Sequence, residues 1–330
     1  MSGPAGLTVA GITAPAVASA ALLTAVQVVG VVVGGPLLLG LMRKVRSRLE
    51  GRAGPPIRQP LLDLRKLATK ERIRPEYASW VFPVAPVVLV ATTAAIAAIV
   101  PLVTTHPPLG SDADFFAIVY LLLLGSVFVA LAGLDTGTPF GGMGASRAMT
   151  IGALAEPALL VAILALSIPA HTSNLPSIVA GGLAHPQWLA TPQRLLALGA
   201  FLVVVVAESG RLPVDNPSTH LELTMIKEAM ILEYAGPDLA LVTLGEAMRL
   251  ALLLGLFVNL FVPWGVATHS GAAGVAFGLA AVVVKVAAAG VAVAIFEVFT
   301  AKLRLFRLPE LLAGGFVLAV LAVISALVVG

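Results

Sequence analysis

The sequence predicts an all-α, polytopic membrane protein with about eight transmembrane helices, a single membrane domain over residues 1–330. Of its 330 residues 59% are hydrophobic and only 11% charged, and the mean hydropathy is +1.02, which no ordinary soluble domain could keep from water. Eight uninterrupted apolar stretches approach or exceed the length needed to cross ~30 Å of hydrocarbon as a helix. They lie at 19–42, 81–104, 115–135, 149–169, 193–208, 239–262, 273–299 and 311–329. With those spans, 18 of the 20 Lys and Arg fall on one side of the membrane, and only Arg194 and Lys285 do not. Such a bias marks that side as cytoplasmic and both termini as outside, in a cell inner (cytoplasmic) membrane. A pI near 9.4 therefore reports orientation and attraction to membrane lipid, and no nucleic-acid partner is expected.

The first span has no basic region ahead of it, so a cleaved signal peptide is not expected. It leads into a basic cytoplasmic connector, 43–80, carrying eleven of the cations between Arg43 and Arg74. Within it Leu61, Leu62, Leu64 and Leu67 alternate with Asp63, Arg65, Lys66 and Lys70, as an interfacial helix would. A basic anchor on anionic lipid explains the same pattern. The third span ends at Asp135, and a glycine-rich turn (Gly137, Gly141, Gly142, Gly144) precedes Arg147 at the opening of the fourth. No strand precedes those glycines and no Lys-Ser/Thr follows, so tight packing accounts for them better than phosphate binding. His106, His171, His185 and His269 are spread over outer loops and read as solvated side chains, so no metal site is expected.

Charged residues also lie inside the spans. Glu156 is about eight residues into the fourth, or ~12 Å at 1.5 Å per residue, and Lys285 is near the middle of the seventh. An ionisable group at such depth costs ~2.5–3.5 kcal/mol on insertion scales and is rarely left facing lipid. It belongs either to a buried pair that pins helices together or to an ion path; Asp135, Glu208, Glu246 and Glu297 lie towards the same basic side. Glu246 also has Arg249 three positions on as a candidate partner. The chain contains no cysteine, so it can offer no thiolate to an iron–sulfur cluster or a nickel–iron centre, and no catalytic residue is assigned.

The acidic cytoplasmic loop-helix at 207–238 concentrates Glu208, Arg211, Asp215, Glu222, Lys227, Glu228 and Glu233 between two apolar runs. Asp215-Asn216-Pro217 predicts a helix start, with a capping side chain and a proline suited to the first turn. Nothing breaks a helix before Tyr234, and Gly236-Pro237 is expected to end it. Glu222 and Glu233 would share one face, His220 and Lys227 another, as on an amphipathic surface helix or a row of functional acids.

The same residues resemble a known family. Ala207, Glu208, Arg211, Pro213, Asp215, Glu222, Leu223, Glu233, Tyr234 and Gly236 are similar to the main loop of complex I subunit 1, which docks the peripheral arm. The run from Asp215 to Thr224 resembles more closely the version in formate hydrogenlyase and other group 4 nickel–iron hydrogenases, as do Gly144–Met149 with Ala155-Glu156 and the loop from Phe296 to Glu310. Arg52, Gly54, Pro55, Gln59, Pro60, Asp63, Lys66, Leu67, Lys70 and Glu71 resemble the first connector of that family, though Pro56 replaces its Asn and several residues are missing before Gln59. Ser218 and His220 stand where complex I subunits usually carry acids.

The resemblance implies a subunit of a formate hydrogenlyase-type complex. It would anchor the hydrogenase large and iron–sulfur small subunits, which would carry the Ni-Fe centre and iron–sulfur clusters, and link them to antiporter-like membrane subunits. Glu156, Glu208, Glu222, Glu233 and Glu246 match acids of the family's channel, and with Lys285, argued from depth alone, they are the expected ion path. Arg52, Asp63, Arg147, Arg211, Asp215 and Arg304 are the expected docking residues. A quinone-site subunit of complex I and a free-standing ion transporter are the alternatives, the latter without the internal repeat that transporters often show. The orientation is testable: cysteines introduced at Ser47 and Ser218 are expected to resist an impermeant thiol reagent in intact cells. Labelling of either from outside would invert the topology.

Overall fold

The computed structural model describes residues 14–215, 225–268, 271–301, 303 and 307–329. In order its helices are α1 Ala14–Leu49, α2 Gln59–Ala68, α3 Val81–Ile99, α4 Phe115–Asp135, α5 Pro139–Ala170, α6 Leu175–Ala184, α7 Pro192–Glu208, α8 Lys227–Ile231, α9 Gly236–Phe261, α10 Ala272–Phe299 and α11 Leu308–Val329. No strand occurs among the described residues; isolated bridges from Thr104 to Ala267 and from Asp114 to Asn174 tie loops together on the face away from the basic connectors. Among the described residues seven helices, α1, α3, α4, α5, α9, α10 and α11, are long and apolar enough to cross a membrane. The fifth expected span folds as α7, which is shorter at 17 residues, or ~25 Å at 1.5 Å per residue, and packs against α5, α9 and α11.

The ends of these helices depart from the expected boundaries for physical reasons. Helix α1 runs beyond its apolar stretch to Leu49, so Arg43, Lys44, Arg46 and Arg48 ride on a helical extension where long basic side chains can reach water. The amphipathic segment of the connector folds as α2, with Pro60 in its first turn and Leu62 exposed. Of the glycine cluster only Gly137, with φ +65°, lies in the turn between α4 and α5. Thr138 caps Gly141 N, Pro139 opens α5, and Gly141, Gly142 and Gly144 form its first turns. Tight packing explains Gly141 and Gly144, not Gly142: a Cβ on Gly141 would lie 2.3 Å from Gly133 O, and one on Gly144 2.8 Å from Ala229 Cβ.

The largest correction concerns the loop-helix. Gly236-Pro237 does not end a helix but starts α9, Pro237 lying in the first turn where its missing N–H costs nothing. The short helix α8 ends at Ile231, and Glu233 and Tyr234 lie in the turn that follows it. Gly236 has φ +56°, and a Cβ there would meet Glu71 O at 2.3 Å. The chain must therefore turn under the first connector before α9 can enter the bundle. Residues 216–224, including the proposed helix start at Asn216-Pro217, lie outside the described residues.

Helix α9 is the centre of the bundle, with α1, α3, α7 and α10 around it and α4, α5 and α11 completing the packing beyond. Small residues set the closest approaches. Gly35 of α1 faces α9 so tightly that a Cβ would lie 2.6 Å from Ala247 O, whereas Gly34 beside it has nothing within 4 Å. Gly35→Ala is expected to destabilise by ~1–3 kcal/mol, since the obstacle is backbone. Gly34→Ala is expected to be neutral or stabilising by up to ~1 kcal/mol through helix propensity. Unfolding midpoints in detergent check this, and equal midpoints for the two variants would contradict the α1–α9 contact.

Candidate functional site

Where α5, α7, α8 and α9 converge towards the basic face, charges that would be costly alone are assembled into pairs. Glu208, in the last turn of α7, and Arg249 of α9 are both buried, and the Arg249 guanidinium donates to Glu208 Oε2. Lys227 opens α8, and its ammonium donates to Glu208 O at 2.6 Å and to Glu246 Oε2 at 2.8 Å. Its backbone N–H donates to Asp215 Oδ2 at 3.3 Å. Glu246 thus pairs with Lys227 across the bundle, not with Arg249 three residues along its own helix. Arg211, in the turn after α7, is buried and donates to Glu297 Oε1 of α10 at 3.4 Å. Burial pushes the Arg211 pKa below its ordinary value; Glu297 opposes that shift, and Arg43 and Arg46 add to it.

Two cavities meet at these residues. The inner one, ≈ 240 Å³, is lined by Glu156, Glu208, Asp215, Lys227 and Glu246 against apolar walls from α4 and α5. The other, ≈ 560 Å³, is a polar vestibule bounded by Arg43, Arg46, Glu50, Arg52, Arg211 and Glu297; Asp215, Lys227 and Glu246 line both. At Glu50 the vestibule rim is held ionised, as hydrogen bonds from Arg46 and Arg52 keep its carboxyl below the usual range. Glu156 lines the inner cavity but not the vestibule, and among the described residues its buried Oε1 has no hydrogen-bond partner. The next residue, Pro157, has no N–H to give the Ala153 carbonyl one turn back, so a second acceptor is freed beside it. The inner cavity can hold water, each molecule of which takes ~30 Å³. The arrangement offers a chain of acids and cations along which a proton or small cation can be exchanged from the basic face to Glu156.

Of the six expected path residues, the structure brings Glu156, Glu208 and Glu246 to one cavity. Lys285 is elsewhere: it donates to Asn259 Oδ1 at 2.6 Å and Val262 O at 3.0 Å, at the opposite end of α9. That separation corrects the single continuous row, because three and a half turns of α9 lie between Asn259 and Glu246. Glu233 is exposed on the turn before α9 and lines neither cavity. Glu222 lies outside the described residues, as does Arg304 of the docking set.

Among the other docking residues, Arg52 is exposed, and Asp63 accepts from Gln59 Nε2 at 2.8 Å on α2. Arg147, by contrast, donates to Met225 O at 2.9 Å, and Arg211 and Asp215 are buried braces. Lys227 is the residue that sequence reasoning undervalued. Its signal was the near balance of Arg211, Lys227 and Arg249 against Glu208, Glu246 and Glu297, but only the fold shows who pairs with whom. Tyr234, expected at a helix end, has a larger part in the packing. Its hydroxyl donates to Phe82 O at 2.7 Å, its ring stacks on Phe82 at 4.1 Å, and burial raises its pKa.

Comparison with known proteins places this geometry in context. A family model described as NADH dehydrogenase matches residues 21–329. Formate hydrogenlyase subunit 4 of Escherichia coli (strain K12) is 33% identical over 302 residues, covering 92% of this chain and 97% of that protein. Hydrogenase-4 component C of the same organism is 34% identical, covering 90% and 92%. An NADH-quinone oxidoreductase subunit of Anaplasma phagocytophilum (strain HZ) is 30% identical, covering 71% and 73%. A chain in the structure of the membrane-bound sulfane sulfur reductase, an archaeal respiratory membrane complex, shares the fold with a TM-score of 0.79 at 22% identity, over 93% of this chain and 99% of that one.

The Glu208–Arg249 pair lends itself to a double-mutant cycle. Arg249→Met strands a buried carboxylate and is expected to cost ~3–5 kcal/mol, whereas adding Glu208→Gln should restore most of it. Denaturant unfolding of the four proteins in detergent measures the coupling, and additive losses would mean that the pair does not brace α7 against α9.

Proposed function

The chain belongs to the NADH dehydrogenase family, the group that includes the complex I subunit 1 type, and on that premise we propose that it is the arm-docking membrane subunit of a formate hydrogenlyase-type, group 4 hydrogenase complex. It is a multi-pass membrane protein. In this reading the basic face is cytoplasmic and receives the hydrogenase large and iron–sulfur small subunits, whose Ni-Fe centre and clusters carry the electrons. Arg52 and the neighbouring exposed cations Arg58, Arg65 and Lys66 form the contact surface. Arg147, Arg211 and Asp215 hold the loops beneath it in place.

The observation that carries the coupling role is that Asp215, Lys227 and Glu246 line both the vestibule and the inner cavity, which also holds the Glu156 oxygen that has no partner among the described residues. A redox change in the docked arm alters the field at the vestibule mouth. Acids that share cations and water along the two cavities can then take up or release a proton or Na+ and pass it towards antiporter-like membrane subunits. The hydrogenase-type reading is favoured over a quinone-site subunit because the hydrogenase relatives align over nine-tenths of this chain and the quinone-type relative over seven-tenths.

The test uses the whole complex in membrane vesicles. Glu156→Gln is expected to leave hydrogen turnover with an artificial electron donor within about twofold of wild type, while the ion gradient formed during physiological turnover falls at least severalfold. Reversal of Arg52, Arg58 and Arg65 to Glu is expected to release hydrogenase activity into the soluble fraction. Wild-type gradients in an assembled Glu156→Gln complex would remove the coupling role, and a membrane-retained arm in the triple variant would remove the docking surface.

A further inference from the structure

The two cations outside the basic side share one address. Arg194, in the first turn of α7, donates to Leu260 O, and Lys285 of α10 donates to Val262 O and Asn259 Oδ1; all three acceptors belong to the C-terminal end of α9. Capping explains part of this, since a helix C-terminus presents unpaired carbonyls and a partial negative charge of about half an electron. Two full positive charges overcompensate it. Arg194 is buried in the bundle, but Lys285 is only partly buried, at the edge of the open face of α10.

Among the described residues no acid is placed to neutralise that excess. Of the chain's 17 acidic residues only Asp112 and Asp114 fall in the loops of that side. Asp114 caps α4 through Phe116 N and accepts from Ser173 Oγ, and no ion pair to Lys285 occurs among the described residues. Beside Lys285 the open face carries Val284, Ala288 and Ala292, one helical turn apart, with Val284 68% exposed. Two of those three side chains are methyl groups, which let a second helix approach closely. Lys285 is 13 residues from the start of α10 and 14 from its end, ~20 Å from either at 1.5 Å per residue. With its ammonium pinned to the end of α9, it lies short of the phosphate level of a bilayer whose apolar core is ~30 Å thick.

We propose that the Val284–Ala288–Ala292 face of α10 is the seat of a transmembrane helix of a second membrane subunit, and that this helix carries an Asp or Glu that pairs with Lys285. Charge complementarity selects this face: α1 and α11 also leave apolar surface open, as any lipid-facing helix does, but neither presents a cation within its apolar span. The proposal rests on the reading of this chain as part of a multi-subunit membrane complex. It concerns a surface on the opposite side from the docking face and the coupling cavities.

The test is made in the intact complex in its native membrane, with a photoreactive phenylalanine analogue at Ala288. The expected product is one adduct whose peptide, identified by mass spectrometry, comes from a hydrophobic helix bearing a carboxylate within one turn of the crosslinked residue. Lys285→Glu should reduce the adduct at least tenfold and Lys285→Arg should keep it. Changing the partner carboxylate to Lys should restore it in the Lys285→Glu background. Lys285→Met, which removes the charge without adding a like one, should leave this chain in the membrane and weaken the adduct. Adducts to lipid alone would overturn the proposal in favour of a lipid-facing cation, and so would a protein adduct indifferent to Lys285→Glu. Hydrogenase retention and gradient formation are read separately in the same vesicles, so a failure here is distinguishable from failure of the proposed function.

Discussion

A charge or amide left without a partner in the interior of a bilayer is costly, and the polar side chains of α9 make this fold answer to that constraint. From its basic end outward, α9 carries Asp238, Glu246, Arg249 and Asn259, and each takes its partner from a different part of the chain. Asp238 is bound by Arg72 of the first connector, Glu246 by Lys227 of α8 and Arg249 by Glu208 of α7. Asn259 donates to Pro101 O and Leu102 O beyond α3, at 2.9 and 2.7 Å, and accepts from Lys285. Asp238, Arg249 and Asn259 are buried, so removing the partner of any of these three would strand a buried polar group, whose cost exceeds that of losing an ordinary apolar contact. The polar groups therefore specify which helices neighbour α9, while apolar packing and close glycine contacts specify how near they come.

That arrangement links stability to the candidate function. Glu208, Lys227 and Glu246, which help hold α7 and α8 against α9, also line the inner cavity, so the site is built from bracing interactions of the bundle. Lys227 serves both ends at once: its backbone N–H takes Asp215, while its ammonium takes a helix-end carbonyl and Glu246. Glu156 belongs to none of these pairs: it precedes Pro157 within α5, and among the described residues its buried Oε1 has no hydrogen-bond partner. An acid satisfied on every side has little reason to exchange its proton, whereas one facing a cavity of ≈ 240 Å³ has room for water beside it.

The two ends of the bundle are managed differently. At the basic face, arginines and acids are abundant and pair locally, as Arg46 and Arg52 do with Glu50, leaving Arg58 and Arg65 to face outward. At the opposite face acids are nearly absent, and the polar work falls to amides and carbonyls. Gln27 donates to Ala97 O and Val100 O at 2.5 and 2.6 Å, and Thr105 N donates to Ala267 O at 3.0 Å. Against that neutral background the ammonium of Lys285 stands out.

Much of this was determined by the sequence alone, and for reasons of solvent. Hydropathy and length are properties of a segment by itself, so the all-α class, the spans and the one-sided distribution of cations could be read residue by residue, and the basic amphipathic segment at 61–70 folds as α2. The family motif identified Glu156, Glu208 and Glu246 as a set, and the fold gathers them in one cavity. Helix ends were less legible, because Gly236-Pro237 has the chemistry of both a stop and a start; the carbonyl of Glu71, pressed against Gly236, decides for the start. Pairing was not legible at all. Arg249 three residues from Glu246 is the obvious local couple, yet Glu246 takes Lys227 and Arg249 takes Glu208, and Lys285 shares the mid-membrane character of Glu156 but belongs to the other end of α9. Distances between segments are set by how whole helices pack, and only the tertiary structure could decide which charges meet.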